Sequence, residues 1–261
     1  MTVQNSTEEI KKNRGLVGSL AHGLNVLMAF DKDHAQMTLS VVSERTGMDR
    51  ASARRYLLTL CHLGFVTQSG RLFRLTSKVM DLGYSFLSSI PLAQKAQPYL
   101  NMIRDQTGFP VALGIRDELD IVHVASANTD EFASPALTIG RRFPLAYASA
   151  GRCILAFLPG DERDAILRRI RLAPLSEYSI TTMAGLRANL TDTQKTGFAL
   201  VDQEMQVGIR SLAVPVFDHN ANVVASFNTF TFSSIVPEDV LIERALPTML
   251  AVATEFGKTI I

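Results

Sequence analysis

The 261-residue sequence predicts an α+β protein in two parts: a small helical module closed by a β-hairpin, then a larger domain with a mainly antiparallel sheet. Three observations lead there. The length suits one large domain or two ordinary ones of roughly 150 residues. Apolar residues follow a helical period up to about Gly108, broken by one hairpin pattern, and strand-like alternation begins after Pro110. The charge divides in a similar way. Residues 1–81 hold 11 Lys plus Arg against 7 Asp plus Glu, or +4, and the remainder holds 15 against 18, or −3. The whole-chain charge of +1, with 47% hydrophobic and 20% charged residues, excludes a polybasic tail, an acidic disordered segment and a uniformly basic coat protein.

Residues 1–14 are polar, and Lys11, Lys12 and Arg14 precede the apolar stretch Gly15 to Phe30. This order superficially copies a signal peptide. Glu8 and Glu9 spoil its charged region, His22 and Asn25 interrupt its apolar one, and no small-residue cleavage pattern follows. A helix from Ser19 to Phe30, packed through the stripe Leu20, Leu24, Leu27 and Met28, explains the segment better. No other run approaches the ~18 apolar residues of a membrane span, so the chain reads as soluble. Cys61 and Cys153 require no disulfide framework, and a reducing cytoplasm is expected.

Thr38 caps a second, short helix that stops at Thr46-Gly47, and Asp49 caps a third, Arg50 to Leu63, ended by Gly64. Phe65-Val66-Thr67, the turn Gln68-Ser69-Gly70 and Arg71 to Leu75 form a hairpin. Helix, short helix, tight turn, helix and hairpin make residues 1–75 a winged helix-turn-helix. In that motif the helix after the turn enters the DNA major groove, and the hairpin lies on phosphate. On the third helix, Ala53, Leu57 and Leu60 face the core with Gly64. Ala51, Arg55 and Leu58 point away, with Ser52, Arg54 and Thr59 on the flanks. Small residues let the backbone approach the bases, and Arg forks onto guanine or clamps phosphate. The candidate contacts to double-stranded DNA are therefore Thr38, Arg50, Ala51, Ser52, Arg54, Arg55 and Thr59, with Arg71 and Arg74 on the wing. Lys11, Lys12 and Arg14 are a candidate arm. A helix with three arginines, taken alone, also fits a solvated surface; the order of elements around it favours DNA.

Residues 76–90 are expected as a linker helix, with Val79, Met80, Tyr84 and Leu87 on one side. Pro91 opens a helix to Asp105 in which Pro98 is a kink or break. In the domain 91–261, strands Val111 to Ile115 and Ile121 to Ala125 flank a polar turn, and Leu137-Thr138-Ile139 is expected as the third strand. Helices follow at Ala148 to Phe157, Asp161 to Ile170 and Thr182 to Lys195, with a last one from Pro237 to about Phe256. Phe198 to Val201, Ser211 to Phe217 and Val223 to Thr231 are strands, the last two a hairpin across His219-Asn220. The helices and strands show no regular βαβ alternation, hence the mainly antiparallel sheet.

These residues resemble the IclR-type bacterial transcription regulators. The resemblance rests on Ser19-Leu20-Ala21-His22-Gly23-Leu24, Met37-Thr38-Leu39-Ser40, Thr46-Gly47, Arg54 to Leu60, Leu63-Gly64-Phe65-Val66 and Leu75-Thr76. In the second part it rests on Ser149-Ala150-Gly151-Arg152, Gly197 to Glu204 and Gly208 to Val216. Arg54-Arg55-Tyr56 and Leu82-Gly83-Tyr84 are most similar to the branch controlling protocatechuate, 4-hydroxybenzoate and β-ketoadipate catabolism. The resemblance implies a GAF-like effector domain, a homodimer or homotetramer and a near-palindromic operator. It also implies a small carboxylate effector between the sheet and the helix starting near Ala148, touching Tyr147, Ala148, Ser149, Asp202, Ser211 and Asn228. Free N–H groups at a helix start suit a carboxylate, and Arg142 suits a two-pronged contact to it. Leu137, Ile139, Phe143 and Tyr147 are candidate walls for an aromatic ring. Against this, Ser211 also fits as a strand filler, Asn228 as a loop tie, and Arg142 and Arg210 as partners of Asp202 or Glu204.

No catalytic residue, metal site or cofactor is expected. Tyr147-Ala148-Ser149-Ala150-Gly151 has Tyr where the nucleophile elbow G-x-S-x-G needs Gly. The five histidines show no ligand or triad spacing, His123 reads as a sheet residue, and there is no phosphate loop, GxGxxG or CxxC. The rival readings are a winged-helix protein whose second domain only oligomerises, and, less favoured, a small-acid-processing enzyme.

Overall fold

Capping residues set the first unit of the structure, a computed structural model that describes residues 16–130 and 137–260. Lys11, Lys12 and Arg14 lie outside the described residues. After α1 (Gly18–Met28) come the two-residue strand β1 (Met37–Thr38), α2 (Leu39–Thr46) and α3 (Arg50–His62). Strands β2 (Val66–Ser69) and β3 (Leu72–Leu75) form the wing. The Thr38 hydroxyl accepts from the Val41 amide, and Gly47 closes α2 with φ 65°, in the left-handed region that suits glycine. Asp49 then accepts from the Ser52 amide at 2.9 Å. The strand order is β1-β3-β2, with Met37 opposite Phe73. β1 was not expected, since two residues are too few to show alternation.

The core of this unit joins Val26 and Leu27 to Val42, Ala53, Leu57, Leu60, Val66 and Phe73. This corrects the expected packing of α1: Leu27 is buried, but Leu20, Leu24 and Met28 are 65%, 44% and 61% exposed. The helix is apolar on two sides. Only the Val26–Leu27 side meets α2 and α3, a choice that periodicity alone does not make.

The chain divides into compact units after Phe86. The expected linker helix is a 3-10 turn, Ser77–Val79, followed by α4 (Met80–Ser88), so the division falls inside α4. Helix α5 (Pro91–Thr107) continues through Pro98 without a break. Pro98 is exposed, so water can satisfy the carbonyl that loses its intrahelical donor.

The larger unit is built on six strands, β4 (Val111–Asp117), β5 (Asp120–Ala127), β6 (Arg142–Pro144), β7 (Ala199–Asp202), β8 (Ile209–Phe217) and β9 (Val223–Phe232). Their order is β6-β5-β4-β9-β8-β7, and each neighbouring pair is antiparallel. The third strand is Arg142–Pro144, not Leu137-Thr138-Ile139. Gly140, at φ 84°, turns the chain there, and its amide donates to the His123 carbonyl. One sheet face packs on α5 and the last helix, α9 (Glu238–Gly257), through Leu100, Ile103, Leu113, Val214, Phe227, Met249 and Phe256. The other face carries α6 (Ser149–Phe157), backed by α7 (Gly160–Arg169) and α8 (Met183–Thr196) through Ile154, Leu155, Ile166, Leu186 and Leu190. Helices on both faces of an antiparallel sheet give the expected GAF-like α+β layering.

Two glycines allow the close packing around the start of α6, Gly114 on the sheet beneath it and Gly151 against the segment that leads into it. A Cβ on Gly151 would lie 2.2 Å from the Leu145 carbonyl oxygen, and one on Gly114 would lie 2.9 Å from Ile121 Cγ2 and 3.4 Å from Ala150 Cβ. Both positions demand hydrogen in place of a methyl group, and the start of α6 sits close against β4 as a result.

Candidate functional site

Two surfaces carry the candidate residues. On α3, Ala53, Leu57 and Leu60 are buried, whereas Arg50, Ala51, Arg54, Arg55, Leu58 and Thr59 are exposed and Ser52 is half-buried. Asp49 fixes the helix start, and the Ser52 amide holds its carboxyl below the usual range. Arg71 and Arg74 are exposed on the wing, and Thr38 precedes α2 half-buried. Within this unit Arg45 is bound to Asp31 at 2.6 Å, yet Arg50, Arg54, Arg55, Arg71 and Arg74 form no ion pair among the described residues. Five guanidinium groups without internal counter-charges, on the recognition helix and wing, make a surface suited to phosphate and guanine edges.

The second candidate is a cavity of about 320 Å³ between the start of α6 and the sheet, near the lower end of the size range for small-molecule sites. It brings together Arg142, Ala148, Ser149, Ser211 and Asn228 from the expected set. Ala148 caps α6 without a side-chain hydrogen bond, so the first-turn amides of the helix keep donors for a ligand. Asn228 is 6% exposed, and its Oδ1 has no hydrogen-bond partner within the described structure. Leu137, Phe143, Val201, Met205, Ile209, Phe230 and Phe232 supply apolar wall, and no carboxylate among the described residues lines the cavity.

Two expected contacts are not part of this lining. Tyr147 is buried on the other side of the helix start, where its hydroxyl donates to the Ile180 carbonyl at 3.3 Å and burial pushes its pKa up. Asp202 takes two hydrogen bonds from Arg210, at 3.0 and 2.9 Å. Ile139, a candidate wall, is also absent from the lining. Arg142 lines the cavity but is bound to Asp117 at 2.7 Å and to Asp120 at 3.2 Å. Burial opposes its charge, and the bonds to the two aspartates outweigh that and raise its pKa.

Sequence reasoning passed over three groups. His123, read as a sheet residue, lines the cavity with its ring 5.1 Å from that of Phe143. Arg141 also lines it, with the guanidinium 5.4 Å from the Phe143 ring centre. Arg152 is fully buried and donates to Glu204 through both terminal nitrogens, at 2.6 and 2.5 Å, and to the Ala146 carbonyl at 2.7 Å. Glu204 also accepts from the Ile180 amide at 2.9 Å, tying down the segment whose next residues, Met205 and Gln206, wall the cavity. The sequence signals were the alternation around His123 and the runs Ser149-Ala150-Gly151-Arg152 and Gly197 to Glu204, which contain the residues without showing their partners.

Among the described residues no group of three His, Cys, Asp or Glu side chains is placed to hold a metal. No described helix is long and apolar enough to cross a membrane.

Residues 19–70 match the IclR helix-turn-helix domain, and residues 84–258 match the bacterial transcriptional regulator IclR C-terminal family. The Pca regulon regulatory protein of Pseudomonas putida is 36% identical over 91% of this chain and 82% of its own length. The p-hydroxybenzoate hydroxylase transcriptional activator of Acinetobacter baylyi is 31% identical over 96% of this chain and 94% of its own. Both are in keeping with the branch expected from Arg54-Arg55-Tyr56 and Leu82-Gly83-Tyr84. A crystal structure from Rhodococcus sp. RHA1 shares 37% identity and a TM-score of 0.83, over 93% of this chain and 97% of that one. Family and relatives are regulators, not enzymes. With both of its parts matched and relatives above 30% identity aligned along nearly all of it, the chain belongs to the IclR family of bacterial transcriptional regulators.

Proposed function

We propose that this regulator binds a small aromatic or dicarboxylic acid in the α6 cavity and that occupancy controls transcription from an operator read by α3. The observation that carries the reading is the cavity itself, which among the described residues has an uncapped helix start, a buried Asn228 oxygen without a partner and no carboxylate in its lining. The α6 amides, the Ser149 and Ser211 hydroxyls and Asn228 Nδ2 donate to the carboxylate, Asn228 Oδ1 is left to accept from a donor on the ligand, and Leu137, Phe143 and Phe230 wall the hydrocarbon. Names of relatives that include an aromatic-acid hydroxylase activator support an acid of that class.

Arg50, Ala51, Ser52, Arg54, Arg55 and Thr59 contact the major groove, Thr38 the adjoining backbone, and Arg71 and Arg74 the flanking phosphates. The protein works in the cytoplasm as a homodimer or a homotetramer. The exposed Leu20, Leu24 and Met28 are the kind of apolar surface that a subunit interface covers. A twofold-symmetric pair of α3 helices reads a near-palindromic operator with half-sites about 34 Å apart, or a multiple of it. The domain limits follow function: residues 1–75 bind DNA, 76–90 link, and 91–261 bind effector and oligomerise. The effector acts by population shift, so it must bind two arrangements of the regulator with different affinity.

A thermal-stability screen of aromatic and dicarboxylic acids tests this. A ligand at a hundred times its Kd stabilises by about 2.7 kcal/mol, a readable rise in Tm. Ser211→Phe should keep operator affinity and lose both the rise and the effector response. A variant that responds normally would put the effector elsewhere.

A further inference from the structure

Four arginines stand in or beside the effector cavity, and three are neutralised by the protein's own carboxylates. Arg142 is held by Asp117 and Asp120, Arg152 by Glu204, and Arg210 by Asp202. Arg141 is the fourth. It lines the cavity, its guanidinium lies over the Phe143 ring, and it forms no ion pair among the described residues. The backbone fixes where it enters, because the Arg141 carbonyl accepts from the His123 amide at 3.0 Å, on the β5 edge of the site.

The other polar receptors stand across the sheet. Asn228 comes from β9 and Ser211 from β8, and Ser211 pairs with Phe230 on one side and Val201 on the other. The order β5-β4-β9-β8 puts three strand spacings between His123 and Ser211 across the sheet, about 14 Å at the usual interval, and Ser211 lies four residues along β8 from Pro215, which stands in the row of His123. The cavity therefore has two places that favour an anion, with mostly apolar wall between them. One is the α6 start with Ser211 and Asn228. The other is the Arg141 side.

From this we infer that Arg141 is the specificity-determining cation of the effector site. It pairs with an acidic group at the end of the ligand remote from the α6 start, so that the cavity selects a molecule with an acid at each end over one with a single acid. The inference rests on the proposed effector reading and deepens it. Stacking on Phe143 pre-orients the planar guanidinium, and a two-pronged contact to a carboxylate is the arrangement that guanidinium geometry favours.

The test is isothermal titration of the full-length protein with matched pairs, adipate against hexanoate and terephthalate against benzoate. One charge-assisted contact corresponds to about tenfold to a hundredfold in affinity, so wild type should bind the diacid of at least one pair more tightly by that factor. Arg141→Gln should erase the difference through loss of affinity for the diacid. Arg141→Lys, which keeps the charge, should retain part of it. Equal binding of diacid and monoacid by wild type, or a preference that survives in Arg141→Gln, would overturn the assignment and leave the effector site standing. If wild type binds no acid of either pair, the effector reading and this inference both fail.

Discussion

Glu204→Gln is the sharpest test of how the larger unit is held together. The change keeps the shape of the side chain and removes its charge, leaving the Arg152 guanidinium in place. That guanidinium is 0% exposed, and two of its three recorded bonds, at 2.6 and 2.5 Å, go to Glu204. With no route to water, the positive charge is left without a counter-ion. Removing one partner of such a buried pair costs about 3–5 kcal/mol. In a unit of this size each kcal/mol lowers Tm by roughly 2–4 °C, so a drop of roughly 6–20 °C is expected by calorimetry or circular dichroism. The exposed pair Arg169–Glu118, with side chains 57% and 69% accessible, supplies the comparison. Glu118→Gln should cost less than about 1 kcal/mol. Replacing both buried partners with apolar residues, Arg152→Met with Glu204→Leu, should recover much of the loss, because no charge is then stranded. If Glu204→Gln costs no more than Glu118→Gln, the Arg152–Glu204 pair does not anchor this unit.

Gly151→Ala should lower stability by about 1–3 kcal/mol and weaken effector binding, because the new methyl group meets the Leu145 backbone at 2.2 Å and pushes the start of α6 away from the segment that leads into it; wild-type affinity and Tm would show that the helix has room. Arg55→Ala should cost about 1–3 kcal/mol in operator binding by fluorescence anisotropy, while unchanged affinity would remove α3 from the groove. The Asp49 carboxyl has a lowered pKa, so its capping contribution is present above the unfolded value and lost as pH falls through the folded one. Protection of the Ser52 amide, taken relative to its intrinsic exchange rate at each pH, should therefore fall on acidification, and Asp49→Asn, which keeps an acceptor, should flatten that dependence.

Where a local rule decides structure, the sequence was readable. Thr38, Gly47 and Asp49 bounded α2 and α3 because capping is a contact within three residues. The hairpins declared themselves by alternation around short polar turns. The failures came where the deciding contact is remote. α1 buries Val26 and Leu27 and leaves Leu20, Leu24 and Met28 outside, a choice made by α2 and α3. The β6 edge is Arg142–Pro144, formed by pairing with β5 rather than by any pattern of its own. Pro98 breaks nothing because it lies on the wet side of α5.

The candidate effector site divides along the same line. The sequence carries the identity of each arginine but not its counter-ion, and the counter-ion decides what the arginine does. Arg141 and Arg142 are neighbours in the chain and both line the cavity. Arg142, the one selected from the sequence, is neutralised from the β4–β5 hairpin by Asp117 and Asp120, residues 22 or more positions away. Asp202 looked available for a ligand until Arg210 claimed both of its oxygens across β7 and β8. In the DNA-binding unit the same test favours the candidates. Arg45 has its aspartate, and Arg50, Arg54, Arg55, Arg71 and Arg74 have none among the described residues. A charge left unpaired by its own fold is free to meet a partner's charge, whether phosphate or carboxylate, without first breaking an internal bond.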